Sequence, residues 1–371
     1  MPRIQPIHAV LLFLMAASLS ACDAAASSDP LGDEDVQALV EQIVEADERF
    51  SGIALVSRQG QMVGLAVQGL ADQNTHQPVT PETLFSIASV GKMLTAQTID
   101  LLVRQDRLAF ETPVSQILPE FADTLPVSVT VDTLLQHRSG LSVAGEPSDD
   151  TLDAVRNNHD LFRLYFSLGL SSQGPADFRY ENGNYVLLGE IIERVTGQGY
   201  EDFATETVLA AQGLSTPRFL RLDTAEPEPV ARPYMPVDFE TWWNSDDWIR
   251  GESAADYTHL APANTPSAGG GALATGPDMA RLIARLANSS SGERLCGLIP
   301  ATQPRGYGRG CQVRHDTYGR RFGHTGSTAG VQARVFAYPD RGYEIIVLSN
   351  HDGEASPVFN ALETGLFGRP D

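Results

Sequence analysis

Lysine is all but missing from this chain of 371 residues. Of its 26 basic side chains 25 are arginines, and the one lysine is Lys92, in Ser89-Val90-Gly91-Lys92. A guanidinium stays charged at any working pH, whereas a buried amine can shed its proton. Basic charge is scarce overall, 26 against 47 acidic groups for a net −21, and no basic patch interleaves with aromatics. Such a surface repels a phosphate backbone, which excludes nucleic acid as a partner. No apolar run is long enough to span a bilayer as a helix; the run Ala9 to Leu19, after Arg3 and His8, reads instead as the core of an export signal. Three cysteines are too few for a disulfide scaffold, and eight histidines show no paired ligand spacing such as H-E-x-x-H, so neither a metal nor a cofactor is implied. No internal repeat or low-complexity tract is present.

The signal ends in Leu19-Ser20-Ala21-Cys22, which resembles the lipobox of bacterial lipoproteins. That resemblance implies cleavage after residue 21, lipidation of Cys22 and membrane attachment through the lipid alone; an ordinary signal peptide with an incidental cysteine is the plainer alternative. Residues 22–33 are small, polar and acidic, as a solvated tether is. Outside the cytoplasm Cys296 and Cys311, fifteen positions apart, are a disulfide candidate, with two free buried thiols as the other possibility.

With 42% hydrophobic residues the chain can bury a sizeable core. Asp33 to Phe50 has helical spacing with an acidic first turn, and the runs 52–58 and 62–67 read as a hairpin. Thr80-Pro81 resembles a helix start, and the middle of the chain, including Thr130 to His137 and Tyr185 to Thr196, is helical in pattern. Between Asp223 and Pro266 periodicity fades around Trp242, Trp243 and Trp248. A helix led by Pro277 then precedes strand-length runs at 307–313, 317–322, 330–338 and 343–349, and a last helix covers about 356–366. Strands at both ends with helices between predict an α/β sheet domain, of the α+β type, from residues 34–105 and 266–371, interrupted by a mainly helical domain, 106–265, whose part 223–265 is irregular.

Residues three apart on a helix face one way, so Ser89 and Lys92 set a hydroxyl beside an amine, and Ala96, Ile99 and Val103 turn that face inward. An amine of lowered pKa beside a hydroxyl is one way to activate a weak nucleophile. A P-loop is excluded, because Ser86 stands where its first glycine belongs and Met93 where Ser or Thr is required. Tyr180 and Asn182, just before the helix at Tyr185, offer a phenol to share a proton and an amide to orient a carbonyl.

The runs Phe85 to Lys92, Leu134-Leu135-Gln136-His137-Arg138-Ser139-Gly140-Leu141, Tyr180-Glu181-Asn182, Gly269-Gly270-Gly271 with Ala274 to Met279, and Gly323-His324-Thr325-Gly326 resemble the ordered motifs of the serine β-lactamase-related family. The likeness covers about residues 33 to 367. It implies a mostly antiparallel sheet flanked by N- and C-terminal helices, a helical domain beside it and a site in the cleft between. It also implies Ser89 as acylated nucleophile, Lys92 and Tyr180 as proton-transfer pair, Asn182 as substrate-orienting residue, and the N–H groups of Ser89 and Ser327 as oxyanion hole. Thr325 and Gly326 let a substrate backbone lie close.

The family usually has Lys-Thr-Gly where this chain has His324-Thr325-Gly326. Imidazole near its ordinary pKa of about 6.5 would bind a carboxylate less well as pH rises. The expectation is therefore an exported serine hydrolase acting through an acyl-enzyme on an amide, ester or lactam carbonyl of a small-molecule, peptide or ester substrate, of esterase or D-amino-acid peptidase type rather than an efficient β-lactamase. The alternative is a penicillin-recognising or peptidoglycan-binding sensor without turnover. The sequence leaves oligomeric state open.

Overall fold

The computed structural model describes residues 31–145, 148, 151–152, 154–219, 229–236, 257–259 and 265–368. The export signal, Cys22 and most of its tether, and all three tryptophans lie outside these residues.

Seven strands form one antiparallel sheet: β1 (Gly52–Arg58), β2 (Gln61–Gln68), β3 (Arg305–Tyr307), β4 (Gln312–Asp316), β5 (Gly319–Thr328), β6 (Val331–Tyr338) and β7 (Tyr343–Ser349). Their order is β3-β4-β5-β6-β7-β1-β2, and the pairing of β1 with β7, from Gly52 opposite Ser349 to Arg58 opposite Tyr343, joins the two distant parts of the sequence. Residues 52–56 of β1 are buried without a break because both faces of the sheet are covered. On one face lies helix α1 (Asp33–Glu45), whose Val36 and Val40 crowd Gly64, the partner of Val56; on the other, Ile53 meets the N-terminus of a helix starting at Gly276. Each fully buried aliphatic side chain in such a layer contributes roughly 1.5–3 kcal/mol.

Between the strand groups come α2 (Lys92–Arg104), α3 (Val131–Leu135), α4 (Asn158–Ser167) and α5 (Asn182–Thr196), followed by α6 (Gly276–Ala287) and the closing α7 (Ala355–Phe367). Their apolar stripes interlock in one core, with Leu134, Tyr185, Leu188, Ile192, Ile99 and Leu102 buried together. The α+β architecture is thus an antiparallel sheet with the N- and C-terminal helices α1 and α7 packed on it and a set of helices between its two halves.

Several local expectations give way. Thr80 starts no helix: its N–H is held by the Thr83 hydroxyl in a single turn, after which Phe85–Ser86 pairs with Leu273–Ala274. The run 307–313 is two strands, broken at Gly308 to Cys311, where Gly310 takes φ 82°. The irregular segment holds a short antiparallel pair, Tyr234–Pro236 with Tyr257–His259. The glycine-rich stretch Arg321 to Thr328 is strand β5 itself, held by its pairing with β6.

Candidate active site

Ser89 does not sit on the helix proper but in a 3₁₀ turn, Ala88–Gly91, that leads into α2. Ala88 takes φ 43°, a left-handed conformation that costs an L-residue roughly 1–2 kcal/mol. The turn is pinned from both sides. The Ile87 N–H donates to the Ala272 carbonyl at 3.0 Å, and β5 approaches so closely that a Cβ on Gly326 would lie 2.2 Å from the Ile87 oxygen. Only glycine at 326 lets the strand reach the turn, and Ser327 next to it lines the same cavity of about 200 Å³ as Ser89.

Lys92 is fully buried at the start of α2. Its Nζ lies 3.0 Å from Ser89 Oγ, 2.9 Å from Asn182 Oδ1 and 2.5 Å from the Gly269 carbonyl. Burial lowers its pKa to about 7, opposed by the charge of Glu181. The three contacts are not equivalent. Asn182 Oδ1 and the Gly269 oxygen can only accept, so they take the two hydrogens of a neutral amine. The remaining lone pair then points at Ser89, whose hydroxyl is the one group of the three able to donate. That arrangement is able to take a proton from Ser89 without a side chain having to move.

Tyr180 completes the set, its hydroxyl donating to Ser89 Oγ at 2.8 Å. Burial of the hydroxyl pushes its pKa up to about 12, and the bond to Ser89 works the other way. Asn182 lies not in a loop, as its sequence context suggests, but at the first position of α5, where Glu181 caps the helix by accepting from the Gly183 N–H at 3.2 Å. Hydrogen bonds therefore link Ser89, Lys92, Tyr180 and Asn182 across two segments of chain.

His324 is in a different environment from the one its motif suggests. It is buried and points inward, with Nδ1 donating to the Thr325 carbonyl at 2.5 Å and Nε2 accepting from the Tyr307 hydroxyl at 2.9 Å. Burial, then the charge of Lys92, lowers its pKa to about 3. The expected titration near 6.5 is corrected: this imidazole is neutral throughout the working range. Thr325 faces the cleft instead, its hydroxyl bonded to Gln312 Nε2 at 3.0 Å. From His324 onward β5 pairs with β6 only, so its other edge is open to an extended ligand among the described residues.

Three contributors had no role in the sequence reading. The Gly269 carbonyl fixes Lys92. His137, buried at φ 54°, accepts from the Glu181 N–H at 3.2 Å and stacks on Tyr180 with centroids 4.3 Å apart. Tyr307 holds His324. The motifs Leu134 to Leu141 and Gly269 to Gly271 contain two of them; Tyr307 carries no local signal. Cys296 and Cys311 are joined as a disulfide behind the site. Among the described residues one group, His159, Glu190 and Glu193, brings possible metal donors together, but it lies on α4 and α5 as an ion-pair network in which Arg194 also bonds Glu190.

A serine bonded by a buried amine and by a phenol, at the junction of an antiparallel sheet and a helical layer, defines the class of serine hydrolases. Residues 36–366 match the beta-lactamase family, and this chain belongs to it. Esterase EstB of Burkholderia gladioli is 34% identical over 54% of each chain, so this chain spans about half of that relative's length in the match. Penicillin-binding protein 4* of Bacillus subtilis is 25% identical over 90% of this chain and 76% of its own. Among solved structures, a penicillin binding protein from Bacillus halodurans superposes with a TM-score of 0.73 at 23% identity, covering 88% of this chain and 99% of that one. The D-amino acid amidase of Ochrobactrum anthropi SV3, complexed with D-phenylalanine, gives 0.71 at 22% identity over 89% and 98%. These two likenesses concern the fold.

Proposed function

We propose that the protein hydrolyses an ester or amide carbonyl through an acyl-enzyme on Ser89. The observation that carries the reading is the set of three contacts around Lys92 Nζ, which leaves the neutral amine one group to act on, the Ser89 hydroxyl. In this reading Lys92 takes the serine proton as Oγ adds to the carbonyl. The Ser89 and Ser327 N–H groups receive the developing oxyanion, and Tyr180, already bonded to Ser89 Oγ, hands a proton to the leaving group. Water then cleaves the acyl-serine by the same groups in reverse. Asn182 both holds Lys92 and borders the cavity where a substrate carbonyl would rest.

Esterase or D-amino-acid peptidase chemistry is favoured over efficient β-lactam hydrolysis, since a neutral imidazole stands where a cation would hold the carboxylate. Likeness to EstB and to a D-aminopeptidase of Cereibacter sphaeroides, 26% identical over 85% of this chain and 60% of its own, supports the same choice. Export and lipid attachment at Cys22 belong to this proposal and rest on the N-terminal sequence pattern.

A fluorophosphonate probe followed by peptide mapping tests the nucleophile. The expected adduct is on Ser89 and is absent from Ser89→Ala; equal labelling of both proteins would end the reading. A panel of p-nitrophenyl esters, D-amino-acid anilides and nitrocefin then ranks substrates, with nitrocefin expected last. Acylation without product release in single-turnover kinetics would mark the non-hydrolytic sensor instead.

A further inference from the structure

A second cavity, of about 670 Å³, shares Tyr180 and Thr325 with the site and extends along β5, β4 and β3. Its charge runs against that of the whole chain. Arg138, Arg305, Arg314, Arg321 and Arg334 line it and, among the described residues, no carboxylate does, although acids outnumber bases 47 to 26 in the sequence. The strand register aligns three of them in a row, Arg305 opposite Arg314 and Arg314 opposite Arg321. Like charges directly opposite on neighbouring strands destabilise a sheet, so the row needs anions.

Two of the five have them. Arg314 pairs with Asp316 at 2.9 Å and Arg321 with Glu363. Among the described residues no carboxylate comes within ion-pair distance of Arg138, Arg305 or Arg334. Arg334 is the informative one. It lies opposite Thr325 on β6, partly buried, and its side chain donates to the Ser356 hydroxyl at 2.5 Å. Its guanidinium lines the cleft without a buried, unbonded nitrogen, so it can take an anion there in place of water. Burial, with Arg321 nearby, lowers its pKa to about 10, so it keeps its charge at neutral pH.

We propose that this cleft is a second substrate subsite, which receives an anionic group, carboxylate or phosphate, carried well beyond the scissile carbonyl. Arg321 is four residues from Thr325 along β5, roughly 13 Å at about 3.3 Å per residue, so a substituent next to the reacting carbon does not reach the row. The proposal names a substrate class for the hydrolase reading above and rests on it for its purpose, but anion binding is measurable by itself.

The test uses the full chain and p-nitrophenyl monoesters of dicarboxylic acids of graded length, each against its methyl-capped counterpart, with a phosphate-tipped ester as a third arm. The ratio of kcat/KM for charged over neutral ester is expected to rise with length to about tenfold, to fall with added salt, and to drop near one in Arg138→Gln/Arg305→Gln. The arm with the larger ratio identifies the anion. Calorimetric binding of suberate and of inorganic phosphate to the same proteins reads the cleft without turnover. Arginine-dependent binding with no ester turnover upholds the anion site and removes the hydrolase reading. Turnover through Ser89 with a ratio of one at every length, or a ratio that survives the double substitution, overturns the subsite and leaves the hydrolase standing.

Discussion

Lys92 and Arg334 are two desolvated cations on adjoining parts of the same cleft, and the fold treats them in opposite ways. Lys92 is surrounded by oxygen atoms and aromatic rings, with no carboxylate bonded to it and its Nζ 5.0 Å from the Tyr180 ring centroid. Burial makes the charged amine expensive, and the amine responds by giving up its proton near pH 7. Arg334 meets burial too but cannot respond in that way, because its pKa, though lowered to about 10, leaves it cationic. It keeps its charge on the wall of a cleft open to ligands. In the proposed reading one site turns desolvation into basicity and the other offers a lasting charge to an anion, a division of labour between the one lysine and the arginines of this sequence.

The largest test of this contrast is to erase it with Lys92→Arg. The substitution keeps the charge and most of the volume but removes any accessible neutral form. Esterase turnover is expected to fall by at least about 10³-fold, the upper part of the range for general-base catalysis. Circular dichroism checks that the protein folds. A residual activity within tenfold of the parent would mean that Lys92 acts by charge and not as a base.

Next in size is Tyr180→Phe, which leaves the aromatic stack on His137 in place and deletes the one hydroxyl that donates to Ser89. A loss of about 10²-fold in kcat is expected, with KM nearly unchanged and a smaller loss for esters whose leaving group needs no proton. Equal losses for p-nitrophenyl and alkyl esters would count against Tyr180 as the proton donor to the leaving group.

What could be read from the sequence divides along the same line as what is local and what is not. Ser89 and Lys92 are three residues apart on neighbouring turns, so their contact follows from spacing alone and the scarcity of lysine singles it out. Tyr180 and Asn182 could be named as a phenol and an amide ahead of a helix, but the resemblance of motifs was needed to join them to Ser89, since nothing local says that a segment about 90 residues on will fold against it. The first part of β5 was legible as a strand run ending at residue 322, but its continuation to Thr328 was concealed by glycines, which have low strand propensity; it is imposed by β6 and by the close approach at Gly326. His324 could not be placed at all from its neighbours. Its neutrality depends on burial and on the charge of Lys92, and its orientation on Tyr307, on another strand of the sheet, reached only through the strand order β3-β4-β5. The arginine row is equally non-local, because three arginines at 305, 314 and 321 become neighbours only in the antiparallel register.

The smallest expected effect gives the finest test of how Lys92 is tuned. Its pKa near 7 is the net of burial, which lowers it, and of the Glu181 charge, which raises it. Glu181→Gln removes the raising influence while an amide oxygen remains able to accept from the Gly183 N–H that caps α5. The pKa of Lys92 should then fall. Because the proposed mechanism makes the neutral amine, present above its pKa, the active form, the acid limb of the kcat/KM profile should move to lower pH. At pH 6, where most of the parent enzyme carries a protonated Lys92, a shift of about half a unit raises the rate roughly threefold, while at pH 9 parent and variant converge. If Glu181 merely supported the start of α5, its loss would lower the rate at every pH and leave the midpoint where it was. A midpoint that stays fixed or moves upward would therefore separate the acid limb from Lys92, and with it the idea that desolvation is what makes this lysine a base.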